Sequence, residues 1–481
     1  MTMPTVRNTI AGRHAEPAGT QRYRAINPAN LDDVIADYAC SSAENIDQAV
    51  EAARHASAAW RGRTAAQRAE ILMQAGASLQ NRAASLGALM TREMGKPLAE
   101  AVGEVTYAGR VLQFYAAEAQ RAIGEVLASG RQDVHYYTQR EPVGAVGLIT
   151  PWNFPFSIAC WKLGPALVTG NTAVWKPAPH HPFCSQALLD TLLEAGLPDG
   201  VVNLVHGGAE AGAAMVGHSG LPAISFTGST PVGQSIFRDV SHRLGRAQCE
   251  MGGKNGLYVH SSADLARAVT LAVEGGFRSA GQKCTATSRV LVDRAILPAF
   301  SEAFVARVAA LPVGDPAAAD TFIGPVVDDR QFAKVRAHID AAITAGQALA
   351  TGGLERPRQN GYFISPTVFT GIAPDSPLAQ EEIFGPVVAL LPVDGLSEAI
   401  EVLNSTSYGL SSTIVTNDLA AAHRFARDVQ CGVINVNLPT AGVEMHAPFG
   451  GWKGSGLGQP EQGLKILEFY THWRSVAMNF S

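Results

Sequence analysis

The stretch Val143-Gly144-Ala145-Val146-Gly147-Leu148-Ile149, running straight into Thr150-Pro151-Trp152-Asn153-Phe154-Pro155, decides how the rest of the chain is read. The apolar run over 143 to 149 is a strand, and the two prolines close it with a rigid turn. From here strands and helices alternate. Strands are expected at 172 to 175, 201 to 205 and 223 to 226, with helices at 182 to 195, 209 to 217 and 231 to 242. Such alternation builds a mostly parallel sheet with helices on its faces. A second round follows, with strands near 256 to 260, 288 to 292, 386 to 391, 412 to 415 and 432 to 436. Helices at 264 to 276, 297 to 310, 329 to 345, 397 to 404 and 418 to 429 interleave with them. The chain therefore reads as two successive α/β modules.

Upstream the pattern is helical. Residues 1 to 40 form a strand-and-turn lead-in, and Ser41 with Glu44 makes a capping box for a helix that places Ile46, Ala49, Val50 and Ala53 on one face. Thr64 and Gln67 repeat the box for a second helix, and a third follows the Gly95-Lys96-Pro97 break to about Gln120. Residues 124 to 139, with His135-Tyr136-Tyr137-Thr138 at their centre, read as an extended ribbon that projects as an arm.

With 481 residues, 47% of them hydrophobic, the chain exceeds the size at which one core stops growing. Its 37 basic and 42 acidic residues are well mixed, which argues against a nucleic-acid partner. No apolar leader opens the chain and no run is long enough to span a bilayer, so a cytoplasmic protein without a membrane partner is expected. Six cysteines without CxxC spacing and thirteen histidines without HExxH give no disulfide framework and no metal site.

Ligands of parallel sheets bind at the carboxyl ends of the strands, so the runs that follow strands carry the chemistry. Asn153, held between prolines, offers an amide to an oxyanion; the same run is also an ordinary turn. Lys176-Pro177-Ala178 offers a cation to a nucleotide, or is a solvated loop. Phe226-Thr227-Gly228-Ser229-Thr230 opens a helix with Ser229 and free N–H groups, suited to a phosphate or to a plain N-cap. It is neither GxGxxG nor a Walker A loop. Glu250-Met251-Gly252-Gly253-Lys254-Asn255 ends a buried strand on a carboxylate whose pKa burial would raise, as suits a general base; a hinge is the alternative. In Ser279-Ala280-Gly281-Gln282-Lys283-Cys284-Thr285, the cation at Lys283 favours a reactive Cys284 thiolate, although a free cysteine is more often a small buried hydrophobe.

These runs, with Glu381-Glu382-Ile383-Phe384-Gly385-Pro386 and Ala447-Pro448-Phe449-Gly450-Gly451, resemble in order and spacing the aldehyde dehydrogenase superfamily over nearly the whole chain. The branch most similar is that of the α-ketoglutaric semialdehyde (2,5-dioxopentanoate) dehydrogenases, through residues 277 to 290 and Ala441-Gly442-Val443-Glu444. The resemblance implies an α/β fold of two parallel-sheet domains with a small oligomerisation arm. Residues 1–121 and 140–252 would bind the nucleotide, 253–447 would carry catalysis, and 122–139 with 448–481 would form the arm and tail. It also implies that Cys284 is the nucleophile, Asn153 the oxyanion donor, Glu250 the base, and Glu461 a proton relay, a surface helix cap being the alternative for Glu461. Trp152, Lys176, Pro179, Gly212, Ser229, Glu382 and Phe384 would bind NAD or NADP. Pro179 stands where many NAD-preferring relatives carry a glutamate that repels a 2′-phosphate. Arg278, Trp161 and Phe449 would meet the substrate; for Arg278 a salt bridge to a neighbouring loop is the alternative. The implied activity is NAD(P)-dependent oxidation of a semialdehyde acid, 2,5-dioxopentanoate first. A broad or succinic semialdehyde dehydrogenase is the alternative, and a non-catalytic nucleotide-binding protein comes last. Ribbon and tail would pair between subunits of a homodimer or homotetramer.

Overall fold

Residues 5–121, 124–355 and 360–481 are described in the structure, a computed structural model of the chain. Five strands, Val202–Leu204, Thr172–Lys176, Ala145–Ile149, Ala223–Thr227 and Arg246–Glu250, lie side by side in that order, all parallel. Alternate residues along them enter two different cores. Val146, Leu148, Ala173 and Trp175 face the helices Ala65–Asn81, Ala83–Met94, Leu98–Glu118, Ser157–Val168 and Pro182–Glu194. Ala145, Ile149 and Val174 face Ala43–Gly62, Ala209–Gly217 and Thr230–His242. Burial on both faces is why Ala145–Ile149 is apolar throughout. Antiparallel strands Asn8–Ile10, Arg13–Ala15 and Gly456–Leu457 extend the sheet to eight. The strand order reverses between Ala145–Ile149 and Ala223–Thr227, and at such a reversal the loops part to leave a crevice.

Residues 251–254 lead into a seven-stranded sheet ordered Ala348–Thr351, Thr367–Thr370, Val387–Val393, Thr287–Asp293, Asn255–Val259, Ser411–Val415, Val433–Val436. All its pairings are parallel except the first. The first two strands were not expected from the sequence, nor were the helices Ala83–Met94 and Ser157–Val168. Ser157–Val168 is buried at almost every position, so it carries no polar face to mark a helical period.

Two expectations are corrected. The first helix is capped by Ser42 with Asn45, not by Ser41 with Glu44. The Ser41 hydroxyl instead donates to His206 O at 2.7 Å. The tail strand Thr471–Asn479 pairs antiparallel with the ribbon strand Val134–Pro142 of its own chain, from Thr471 opposite Pro142 to Asn479 opposite Val134, whereas pairing between subunits was expected. Arg140 lies over the Trp473 ring at 4.2 Å, and Phe469 and Tyr470 are buried in the first module's core rather than awaiting a partner.

The turn after Ala145–Ile149 is held from below by a buried ion pair. Glu104, on the helix Leu98–Glu118, is paired with Lys96, and both side chains are at most 5% exposed. Glu104 Oε1 also accepts the N–H groups of Phe156 and Ser157 at 3.1 and 3.2 Å, capping a helix that has no side-chain cap of its own. Lys96 Nζ donates to Asn153 O at 2.7 Å and lies 3.9 Å from the centre of the Phe154 ring. Removing one member of a buried pair strands the other charge. Glu104→Ala is therefore expected to lower stability by about 3–5 kcal/mol, read as a fall in the urea midpoint.

Candidate active site

The helix Leu265–Phe277 ends in a tight turn, Arg278–Gly281, in which Ser279, Ala280 and Gly281 all have positive φ, at 55°, 53° and 68°. Two consecutive non-glycine residues in the left-handed region are strained, and such strain persists only where neighbours hold it. Here Glu100 accepts the Ser279 hydroxyl at 2.6 Å, and a Cβ on Gly281 would come within 2.2 Å of Gly385 O. The carbonyls that follow are pinned in turn. Asn153 Nδ2 donates to Gln282 O at 3.0 Å, Asn255 Nδ2 to Cys284 O at 2.7 Å, and Thr440 Oγ1 to Thr285 O at 2.7 Å. Asn153 and Cys284 are thereby brought together, and the second N–H of the Asn153 amide is left over.

Alone among the six cysteines, Cys284 is not fully buried. Burial, then the nearby Glu382 and Glu250 carboxylates, push its thiol up to about 12, against bonds from the Thr285 and Cys284 N–H groups. The expectation that Lys283 favours the thiolate is corrected. Its ammonium turns away to Glu274 O at 3.3 Å and is itself lowered to about 8 by burial.

Glu250 ends its strand with 3% of its surface exposed, and its Oε2 has no hydrogen-bond partner. Burial first, then Glu461, raise its pKa well above the usual carboxylate value, with Lys162 opposing. Glu461 is 1% exposed, so the surface-cap reading is excluded. It receives Lys162 Nζ at 2.8 Å and the Thr227 hydroxyl at 3.3 Å. Lys162 also donates to Ser225 Oγ at 2.8 Å.

A cleft of about 1090 Å³ opens at the strand-order reversal. Trp152, Lys176, Pro179, Gly212 and Ser229 line it. Ser229 is exposed and heads the helix Thr230–His242 without a side-chain cap bond, leaving that helix's first N–H groups free of a side-chain partner. Lys176 Nζ donates to Gly207 O at 3.1 Å and Pro177 O at 3.2 Å, and burial lowers its pKa to about 8. Glu382 reaches across from the second module, accepting Gly253 N–H at 2.9 Å, and a Cβ on Gly252 would collide with its carboxylate at 2.2 Å. Phe384, at φ 61°, stands edge-on to Trp152 with ring centres 5.5 Å apart.

Trp161 and Phe449 meet with ring centres 5.6 Å apart, and Tyr107 stands edge-on to Trp161 at 6.4 Å. Arg278 takes the alternative foreseen for it: its guanidinium lies 3.8 Å from Glu100 and stacks 4.2 Å over Phe322. The residues not foreseen are the supporting ones. Lys162 lies in the unrecognised helix. Gln331 fixes the Phe384 loop by donating to Ile383 O and Phe384 O at 3.0 and 2.7 Å, and in sequence it is one polar residue in a helix's first turn.

The fold and this arrangement define a two-module α/β protein with a cysteine held near buried carboxylates and a cleft at its strand-order reversal. Residues 14–476 match the aldehyde dehydrogenase family, and the chain belongs to that family. It is 43% identical over 460 residues, covering 95% of this chain and 96% of the relative, to 2,5-dioxopentanoate dehydrogenase of Saccharolobus solfataricus. It is 39% identical to alpha-ketoglutaric semialdehyde dehydrogenase of Bacillus subtilis, covering 98% of each. Among solved structures, betaine aldehyde dehydrogenase of Staphylococcus aureus in complex with NAD+ superposes with a TM-score of 0.95 at 33% identity, covering 99% of this chain and 95% of that one. An aldehyde dehydrogenase from Bacillus cereus does so with a TM-score of 0.96 at 35% identity, covering 99% and 97%.

A thiol pushed to about 12 exposes little thiolate at neutral pH. In the cofactor-free protein, alkylation of Cys284 by iodoacetamide is expected to rise about tenfold per pH unit from pH 7 to 9, followed by peptide mass spectrometry. A plateau above pH 8.5 would contradict the burial argument.

Proposed function

We propose that this chain oxidises a short semialdehyde acid, 2,5-dioxopentanoate before others, to the dicarboxylate with NAD or NADP. The observation that carries the substrate is the 43% identity, over nearly the full length of both chains, to a relative named for it. A broad-specificity or succinic semialdehyde dehydrogenase is the alternative, and the engagement of Arg278 with Glu100 and Phe322 favours the broad-specificity form.

The cleft fits a dinucleotide. Its volume lies just above the usual range of small-molecule sites, about 300–1,000 Å³, and the uncapped helix start at Ser229 suits a pyrophosphate. Lys176 and Glu382 would take the two riboses, Gly212 would flank Lys176, and Trp152 with Phe384 would bound the inner end. Pro179 brings no negative charge against a 2′-phosphate, so NADP is accepted beside NAD. When bound, the dinucleotide supplies a two-electron hydride acceptor.

Cys284 Sγ adds to the aldehyde carbon as its proton leaves for the buried Glu250 side, and the oxygen that becomes negative is held by the spare Asn153 N–H and the Cys284 N–H. Oxidation leaves an acyl thioester on Cys284. Glu250, its first proton passed outward through Glu461 with Lys162, then takes a proton from water as it attacks that thioester. The C–S bond breaks, the carboxylic acid leaves and the Cys284 sulfur regains its proton. Trp161 and Phe449 wall the substrate, with Arg278 toward its entrance.

The two sheets support a division into 1–121 with 140–252 for the nucleotide and 253–447 for catalysis, with 122–139 and 448–481 as arm and tail. Apolar side chains exposed on the arm sheet, Val126 at 78% and Trp473 at 52%, support a homodimer or homotetramer. No helix among the described residues is long and apolar enough to cross a membrane, in keeping with a cytoplasmic enzyme.

Initial rates with NAD and with NADP test the reading, against 2,5-dioxopentanoate, succinic semialdehyde and pentanal, with Cys284→Ala as the blank. The highest kcat/KM is expected for 2,5-dioxopentanoate; a flat profile points to the broad-specificity alternative. Glu250→Gln is expected to slow turnover about 10²-fold or more while an acyl group accumulates on Cys284, visible as added intact mass.

A further inference from the structure

Beside Tyr107, which itself meets Trp161, sits Gln462, 1% exposed, in the left-handed region at φ 62°. A non-glycine residue is held there only when its surroundings insist on it. Its Oε1 accepts the Tyr107 hydroxyl at 3.4 Å, yet its Nε2 has no hydrogen-bond partner. Tyr107 is itself poorly satisfied, sharing its proton between Gln462 Oε1 and Val443 O at 3.3 Å, both at the long limit. The Trp161 indole N–H faces the Tyr107 phenol without closing a hydrogen bond. Three neighbouring side chains thus offer N–H or O–H donors with weak acceptors or none, and unpaired buried donors are costly.

What repairs such a site is a group that brings acceptors only. An alkyl end brings none and an ammonium brings donors, whereas the carboxylate and keto oxygens of a 2-oxo acid are acceptors throughout. We propose that Gln462, with Tyr107 and Trp161, forms a neutral donor clamp that grips the 2-oxo-acid end of the substrate and selects it over unfunctionalised aldehydes. The clamp rests on the substrate reading proposed above.

The helix Leu98–Glu118 separates this clamp from Arg278. Glu100, which Arg278 approaches at 3.8 Å, lies seven residues before Tyr107 on that helix, about 10 Å along its axis. Arg278 therefore marks another level of the channel, and its charge is already spent on Glu100 and Phe322. Neutral donors suffice at the inner level, because hydrogen bonds to a carboxylate are charge-assisted from the ligand's side. A second cation would also disturb the Lys162–Glu461 pair next door in the chain.

The test compares kcat/KM for 2,5-dioxopentanoate and for pentanal in wild type, Gln462→Met and Gln462→Glu, with NAD as cofactor. Met keeps the length but removes both N–H donors, and Glu replaces them with an acceptor. The expected result is a fall of about tenfold or more in the acid-to-pentanal ratio for Met, carried by KM, and a larger fall for Glu. An unchanged ratio in Gln462→Met, or equal losses on both substrates, overturns the clamp while leaving the substrate reading intact. A wild-type ratio near one overturns the substrate reading and the clamp with it. Should Gln462→Met not fold, Trp161→Phe reads the same ratio: a fall supports the clamp, and an unchanged ratio overturns it.

Discussion

The Lys96–Glu104 pair is the constraint on which the site's geometry rests. Neither charge meets water, so each must be satisfied by the fold, and each spends its remaining bonds on the same turn. Glu104 caps a buried helix through the Phe156 and Ser157 N–H groups, and Lys96 fixes the Asn153 carbonyl. A carboxylate with two backbone donors and a cation has one workable position, and it transmits that position to Asn153. Asn153 then ties the first module to the second through Gln282 O. A helix over Leu98–Glu118 thereby sets where a cysteine at 284 faces.

Burial also decides the resting charge of the site. A thiol and its neighbouring carboxylates share a poorly solvated space, where burial raises the pKa of Cys284 and Glu250 and nearby negative charge raises both further. Ionising them together is therefore disfavoured. The N–H groups of Asn153 and Cys284 become useful only when an oxygen acquires charge between them. Glu461 adds to the upward push on Glu250, and Lys162 opposes it. The site is quiet until an electrophile makes negative charge worth stabilising.

The legible part of this protein was what repeats or follows a strand. Alternating runs from 143 onward announced two α/β modules; strand ends and the turns after them carried Glu250, Asn153 and Ser229, while Cys284 follows a helix and its tight turn. What escaped was what tertiary burial hides. Ser157–Val168 is buried at almost every position, so no stripe betrayed it, and Lys162 vanished with it. Ser41 and Ser42 are adjacent capping residues, and only the bond from Ser41 to His206 shows which one lies outside the helix. Lysines read as surface cations, yet Lys96, Lys162 and Lys176 are interior. Lys162 meets Glu461, and Lys176 meets Gly207, far off in the chain, where no local pattern reports them.

The pairing of the tail with the arm has a consequence for how the chain is made. The strand Val134–Pro142 receives its long partner only from Thr471–Asn479, more than three hundred residues later in the chain. At ordinary elongation rates the arm waits for tens of seconds with one edge unpaired, and such an edge invites pairing with another chain. The exposed apolar side chains beside it sharpen that hazard. The nascent arm is thus the segment a chaperone has most reason to hold.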